Sequence, residues 1–259
     1  MRAQAKWEMF VGWLKKTPDP VYSSDGVCPI CEKAVVFTAT NAWFRDYLSC
    51  PSCRSVVRER ALALVLNELR PNWRGLAIHE SSPGGNGISA KLRREGERYV
   101  ASHYYPSQPM GTQVGAFRNE NLEAQTFEDA AFDIVVSLDV MEHLFHPDRA
   151  YAEIFRTLRP GGLYIHTFPI YKAQVEAATR FAELADDGTV THLVETPEYH
   201  GNPIDKDGAL VTFHYGYNIT RQIAQWAPFD VRITRFNDRT HGILGEFTEV
   251  VICTKPAAA

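Results

Sequence analysis

The chain has 259 residues, a formal net charge of −4, and hydrophobic and charged shares of 45% and 22%. That balance is ordinary for a folded globular protein and argues against one that holds RNA by charge alone. No apolar run approaches the roughly 20 residues that cross a bilayer, so a cytoplasmic location with no membrane partner is expected.

The length suits one large α/β domain with a small appendage. Residues 1–25 read as a lead-in. Residues 1–16 form a short amphipathic segment with Trp7, Phe10, Val11 and Leu14 on one side, without the cleavage site of a secretory signal. Residues 26–56 read as a metal-held module. Cys28-Pro-Ile-Cys31 and Cys50-Pro-Ser-Cys53 match the paired spacing of a structural zinc site. Two thiolates from one tight turn take adjacent corners of a tetrahedron, and the second turn closes it. Four sulfurs leave no open position, so such a zinc organises the fold and does no chemistry. Disulfides or free thiols are the alternative. Residues 35–38 and 43–48, between the turns, read as a small β-hairpin. A module this small has little core, and metal binding would supply its folding energy. Cys253 stands alone as a core thiol.

Residues 56–69 predict a helix, with Ala61, Leu62, Val65, Leu66 and Leu69 as its apolar stripe. Arg54, Arg58 and Arg60 near its start suit a solvated face, or else a grip on an anionic group. Residues 76–80 then read as a strand, Ser81-Ser-Pro-Gly-Gly-Asn-Gly87 as a tight loop, and 88–95 as a helix. Small residues at such a turn let the backbone approach a ligand. Neither G-x-G-x-x-G nor the NTPase phosphate loop is present. Further on, Ile134 to Leu138 is a short apolar run of the kind that forms a strand buried on both faces. Pro147 suits the first turn of a helix with Ala150, Ile154, Phe155 and Leu158 at helical spacing. Pro160-Gly161-Gly162 breaks it before a second apolar strand. Strand, helix, strand is a parallel crossover, and the polar run Ser137 to His143 lies where such sheets bind ligands. Residues 172–184 predict a helix with Val175, Ala178 and Phe181 inward. A long insertion at about 171–218 is expected to cover a substrate. A helix at 219–226 and strands at 231–236 and 247–254 complete the chain.

The runs 120–144 and 152–162, with the loop 81–87, resemble the class I S-adenosylmethionine-dependent methyltransferases over about residues 75–170. The cysteine pairs together with residues 197–211 are similar to a bacterial subgroup with an N-terminal four-cysteine zinc ribbon. The resemblance implies a Rossmann-like α/β domain at 57–256, its seven-stranded sheet mostly parallel with an antiparallel last strand, behind a small zinc-ribbon module. S-adenosylmethionine is the implied cofactor and Zn2+ the structural ion. Glu80, Ser81, Ser82, Gly84 and Gly85 match the motif that holds the methionine part, although the usual acidic-x-Gly-x-Gly-x-Gly has become His79-Glu-Ser-Ser-Pro-Gly-Gly-Asn-Gly87. His103 stands where the family places an acid on the ribose. Asn121 and Leu122 match the positions that read adenine. Leu138 and Asp139 would flank the methionine and the reacting sulfonium.

Methyl transfer needs alignment, exclusion of water and, for a hydroxyl, a proton acceptor. His143, just past the fourth family strand, is the candidate base, with helix capping or packing as its alternative role. His200 and His214 in the insertion are candidate substrate contacts alongside Asn202 and Asp205. His166, inside a strand, reads as a core histidine. The leading reading is O-methylation of a small polar molecule or saccharide. The alternatives are an RNA methyltransferase whose ribbon holds nucleic acid, and a catalytically degenerate cofactor-binding module.

Overall fold

The computed structural model describes residues 19–174, 176–202 and 206–257. The amphipathic segment 1–16, Val175 and Asp205 lie outside these residues. Strands β1 (Tyr22–Val27) and β2 (Ala34–Ala39) pair antiparallel and open the described chain. A short helix α1 (Phe44–Tyr47) and the longer α2 (Val57–Leu69) follow. The hairpin therefore runs between residues 22 and 39, and the segment 43–48, expected as its second strand, is a helical turn. Its aromatic residues suit a strand by propensity, but β2 already has β1 as its partner.

Next come β3 (Ala77–Ser81), α3 (Gly87–Glu95), β4 (Arg98–His103), β5 (Gln113–Val114), β6 (Phe117–Asn119), β7 (Phe132–Leu138), α4 (Pro147–Thr157) and β8 (Leu158–Thr167). The insertion holds β9 (Ala178–Arg180), β10 (Ala182–Leu184), β11 (Val190–His192), β12 (Tyr199–His200), β13 (Ala209–Leu210) and β14 (Phe213–Tyr215). Helix α5 (Ile219–Trp226), β15 (Asp230–Arg235) and β16 (Glu249–Thr254) end the fold. The helix expected over 172–184 is absent. Residues 178–180 pair with 213–215 as β9 on β14, and 182–184 with 190–192. A partner strand decides this segment against its weak helical spacing.

The main sheet has the order β15-β16-β8-β7-β3-β4-β6-β5. It has eight strands rather than the expected seven. The addition is β5, turned back on β6 through Gly115 at φ 60°, a left-handed position that suits glycine. Strands β4, β3, β7 and β8 run parallel, and β16 is antiparallel to both β8 and β15.

Alternation along the buried strands divides the core in two. Ile78, Ile134, Val136, Leu163, Ile165, Val250 and Ile252 face α2, α3 and the cysteine-bearing N-terminal module, in one cluster that also contains Phe37, Leu48, Leu62, Leu66 and Trp73. Ala77, Val135, Tyr164, Val251 and Cys253 face the other way, with Tyr151 and Ile154 of α4 and Ile219 and Ile223 of α5. The cysteine module thus shares the core of the sheet. Arg60, fully buried, fastens it there: its guanidinium donates to the carbonyls of Ser55, Leu48 and Gly242, the last two at 2.7 Å. Among the described residues no helix is long and apolar enough to cross a membrane.

Candidate functional site

The chain leaves β3 in one direction and β7 in the other, so a crevice opens at the carboxyl ends of these adjacent strands. Each strand is followed at once by a strained residue. Ser82 has φ 54° and so does Asp139, a left-handed geometry that costs a non-glycine residue about 1–2 kcal/mol. Beyond Ser82 the loop is open: Gly84 and Gly85 are exposed, and a Cβ on Gly85 would meet no atom within 4 Å. The crevice therefore has bare backbone on one wall, which suits close approach by a bound nucleoside-type ligand.

Glu80 supports this wall from behind. It is fully enclosed, accepts from Ser89 Oγ at 2.5 Å and Tyr99 OH at 2.6 Å, and Ser89 in turn accepts from the Gly84 amide at 3.1 Å. Burial pushes its carboxyl up to about 7. Ser81 is buried at the end of β3. His103, ending β4, is also buried, edge-on to Phe117 at 4.4 Å, and burial lowers its pKa. Asn121 closes its own turn by accepting from the Glu123 amide at 2.9 Å, and Leu122 is buried. Leu138 packs at the margin of the first core cluster.

Asp139 holds a contact that only folding reveals. Arg45 of α1 reaches it at 2.6 Å and Arg58 of α2 at 2.8 Å, while Thr167 donates at 3.1 Å. Against the upward push of burial, these two arginines hold its carboxyl below the usual carboxylate range. Arg58 also pairs with Asp46, and Arg60 is consumed by carbonyls, so neither forms the solvated helix face expected of them. The cysteine module thereby forms part of the crevice wall.

The same module meets the glycine loop. Gly87 at φ 56° opens α3, and its amide donates to the Cys53 carbonyl at 3.2 Å. The four cysteines are unbridged, with Sγ atoms 3.6 Å apart for Cys28 and Cys53 and 3.8 Å for Cys31 and Cys50. A disulfide needs about 2.05 Å, whereas sulfurs at tetrahedral corners about 2.3 Å from an ion lie about 3.8 Å apart. The two turns are twins: Glu32 donates to Cys28 O and Arg54 to Cys50 O, each from a left-handed residue just after the second cysteine. The donor set fits a tetrahedral thiophilic ion.

Beyond Asp139 the chain makes a 3₁₀ turn, Met141–His143, and the insertion lies across it. Thr212 donates its amide to Glu142 O at 2.8 Å and Tyr215 its hydroxyl to Met141 O at 2.9 Å. This contact brings His143, His200 and His214 together. The rings of His143 and His200 are 5.1 Å apart, and Glu198 joins His200 at 3.0 Å to His214 at 2.8 Å. Tyr171 stacks on His214 at 4.0 Å. Against burial, hydrogen bonds from His200 and His214 keep the Glu198 carboxyl below its ordinary value. Glu142, then Glu198, raise the His200 imidazole to about 9 despite its burial. His166 is indeed a core residue, bonded to Tyr151 OH at 2.9 Å and lowered by burial to about 3. Sequence reading missed Glu142, Glu198, Arg45 and Tyr171. Glu142 had the one available signal, its place beside His143.

A family model described as a methyltransferase domain matches residues 81–166. A curated Mycolicibacterium smegmatis protein, whose name reads "Probable S-adenosylmethionine-dependent methyltransferase/", is 40% identical over 52 residues. That match spans about a fifth of each chain. Among solved structures, the complex between the Haloferax volcanii Trm112 methyltransferase activator and a methyltransferase aligns with a TM-score of 0.50 at 14% identity, covering 78% of this chain and 91% of that one. A Mesorhizobium loti S-adenosylmethionine-dependent methyltransferase aligns at 0.47 and 18% identity, covering 75% and 97%. Residues 81–166 are thus similar to a methyltransferase domain, and the whole has a Rossmann-like α/β fold whose mixed central sheet has eight strands.

Proposed function

We propose that this chain is an S-adenosylmethionine-dependent methyltransferase that methylates a hydroxyl of a small polar molecule or saccharide, with a structural zinc on its four N-terminal cysteines. The observation that carries the reading is the juxtaposition of two features. From the strained Asp139, just past β7, the chain leads directly into the Met141–His143 turn, whose His143 joins the cluster of His200, Glu198 and His214. When bound, S-adenosylmethionine supplies a methyl already activated on a sulfonium. The exposed Gly84–Gly85 backbone would cradle its methionine part, with Leu138 and Asp139 beside it; His103 ends β4, and Asn121 and Leu122 follow just after β6, where its nucleoside would lie. As the oxygen–carbon bond forms, the sulfur–carbon bond breaks, its electron pair stays on sulfur, and the hydroxyl proton needs an acceptor. His143 donates Nδ1–H to Leu210 O at 2.9 Å, which leaves the lone pair of Nε2, 3.8 Å from the Glu142 carboxylate, as the acceptor for that proton. His200, His214 and Tyr171 supply the hydrogen bonds and ring faces that suit a sugar.

The nucleic-acid alternative is weakened by the state of the basic residues. Arg58 is paired with Asp139 and Asp46, Lys91 with Glu32 and Glu95, and Arg74 and Arg94 with Glu95. Calorimetry with S-adenosylhomocysteine tests the cofactor, and a methyl mass gain across a panel of saccharides and small alcohols tests the acceptor. No binding at high concentration would favour a degenerate module, and strongly salt-dependent RNA binding would favour the nucleic-acid reading.

A further inference from the structure

Glu142 is 2% exposed, and among the described residues neither of its carboxylate oxygens has a hydrogen-bond partner. Leaving a buried carboxylate unpartnered is costly, so the arrangement needs a reason. Two imidazole nitrogens face it just beyond hydrogen-bond range: His143 Nε2 at 3.8 Å and His200 Nδ1 at 3.7 Å. Both rings are held from their far side. His143 Nδ1 meets the Leu210 carbonyl, which only accepts, so the proton sits on Nδ1. His200 Nε2 meets the Glu198 carboxylate, whose other oxygen is taken by His214. In the neutral rings, both nitrogens aimed at Glu142 carry lone pairs. With both rings neutral, a carboxylate and two lone pairs converge, and the point between them would be filled either by a metal ion or by the proton that Glu142 and Glu198 favour on His200.

We infer that Glu142, His143 and His200 form a binding site for a divalent first-row transition ion such as Zn2+ or Mn2+, distinct from the four-cysteine cluster. Histidines tied by their second nitrogen to a carbonyl or carboxylate are the usual outer shell of a metal site. With bonds of about 2.1 Å, ligand atoms lie about 3.0–3.4 Å apart; the two imidazole nitrogens stand 3.8 and 3.7 Å from the carboxylate oxygen, and all three donor atoms lie within 4.8 Å of one another, so the cluster must draw in to hold an ion. Two nitrogens and one oxygen suit borderline and harder ions better than a thiolate-seeking one. Three protein ligands also leave positions open, unlike the closed set of four sulfurs. One such position would take the acceptor hydroxyl and lower its pKa, so that its proton would leave to solvent water and His143 Nε2, now a ligand, would give up the role of base. That use of the ion rests on the methyl-transfer reading; the site itself rests on the three donors. A proton on His200 is the competing way to relieve the cluster, and metal counting separates the two.

The test uses full-length protein already loaded with one zinc per chain. It is titrated with Mn2+, read by the electron paramagnetic resonance of the free aqueous ion, and with further Zn2+, counted by elemental analysis after desalting. One ion per chain beyond the first is expected. Glu142→Gln and His200→Ala should each weaken its binding about tenfold or more. Both should keep the first zinc, a native circular dichroism spectrum and S-adenosylhomocysteine binding. Asp238→Asn, which alters a separate carboxylate–histidine pair, should bind the second ion as wild type does. Retention of neither ion beyond the first equivalent would overturn the inference, as would undiminished retention by both folded variants. Failure of the unmutated protein to bind S-adenosylhomocysteine would overturn the methyl-transfer reading alone.

Discussion

Replacing Glu80 by glutamine tests how the glycine loop is supported. The carboxyl is fully buried and pushed from its ordinary 4.5 up to about 7, chiefly by burial, with Ser89 and Tyr99 pulling it partly back. A raised carboxyl binds its proton more tightly in the folded state. Its contribution to stability is therefore complete below pH 4.5 and lost as pH rises through 7. Between pH 5.5 and 8.5 the cost of ionising it grows by about 2 kcal/mol, from one pKa unit being worth about 1.4 kcal/mol. Glutamine is isosteric, cannot ionise, and can still bond both hydroxyls. The stability difference, Glu80→Gln minus wild type, should thus shift in the variant's favour by about 2 kcal/mol across this range. Urea unfolding at the two pH values measures it. The subtraction removes the opposing slope of His79 and His166, both held near 3 by burial, whose neutral forms lose stability as pH falls below their ordinary 6.5. A difference that stays flat with pH would refute the buried, proton-binding role of Glu80.

Four further outcomes follow from the geometry. Arg60→Met should destabilise by about 4 kcal/mol in urea, because three carbonyls lose a charged donor inside the core. Gly87→Ala should cost about 2–4 kcal/mol, since a left-handed position would carry a Cβ pressed on the Glu59 carboxylate, and thermal unfolding reads this. Stripping the zinc proposed for the four cysteines with a chelator should weaken S-adenosylhomocysteine binding in calorimetry, because the Cys53 carbonyl anchors the amide at the end of the glycine loop. Asp139→Asn should lower stability by about 3 kcal/mol, by leaving Arg45 and Arg58 without their shared partner, with the unfolding midpoint as readout.

Much of this molecule is legible in short windows of its chain. The two C-P-x-C turns, the helix at 57–69, the βαβ unit from Phe132 to Thr167 and the terminal antiparallel pair all declare themselves through spacings of a few residues. Periodicity and turn chemistry act locally, so a linear reading captures them. It fails where the deciding partner is distant. Residues 178–184 are strands only because 213–215 and 190–192 lie beside them, and 43–48 coils because 22–27 has already claimed β2. The candidate site follows the same rule. His143, His200 and His214 were visible as histidines in polar runs, and Asp139 as the end of a strand. Tertiary structure alone set Arg45 and Arg58 on Asp139, turned Glu80 inward, and brought Glu142 to the two imidazoles. A buried charge is tolerated only by what folding places around it, and that neighbourhood is written nowhere in the residues next to it.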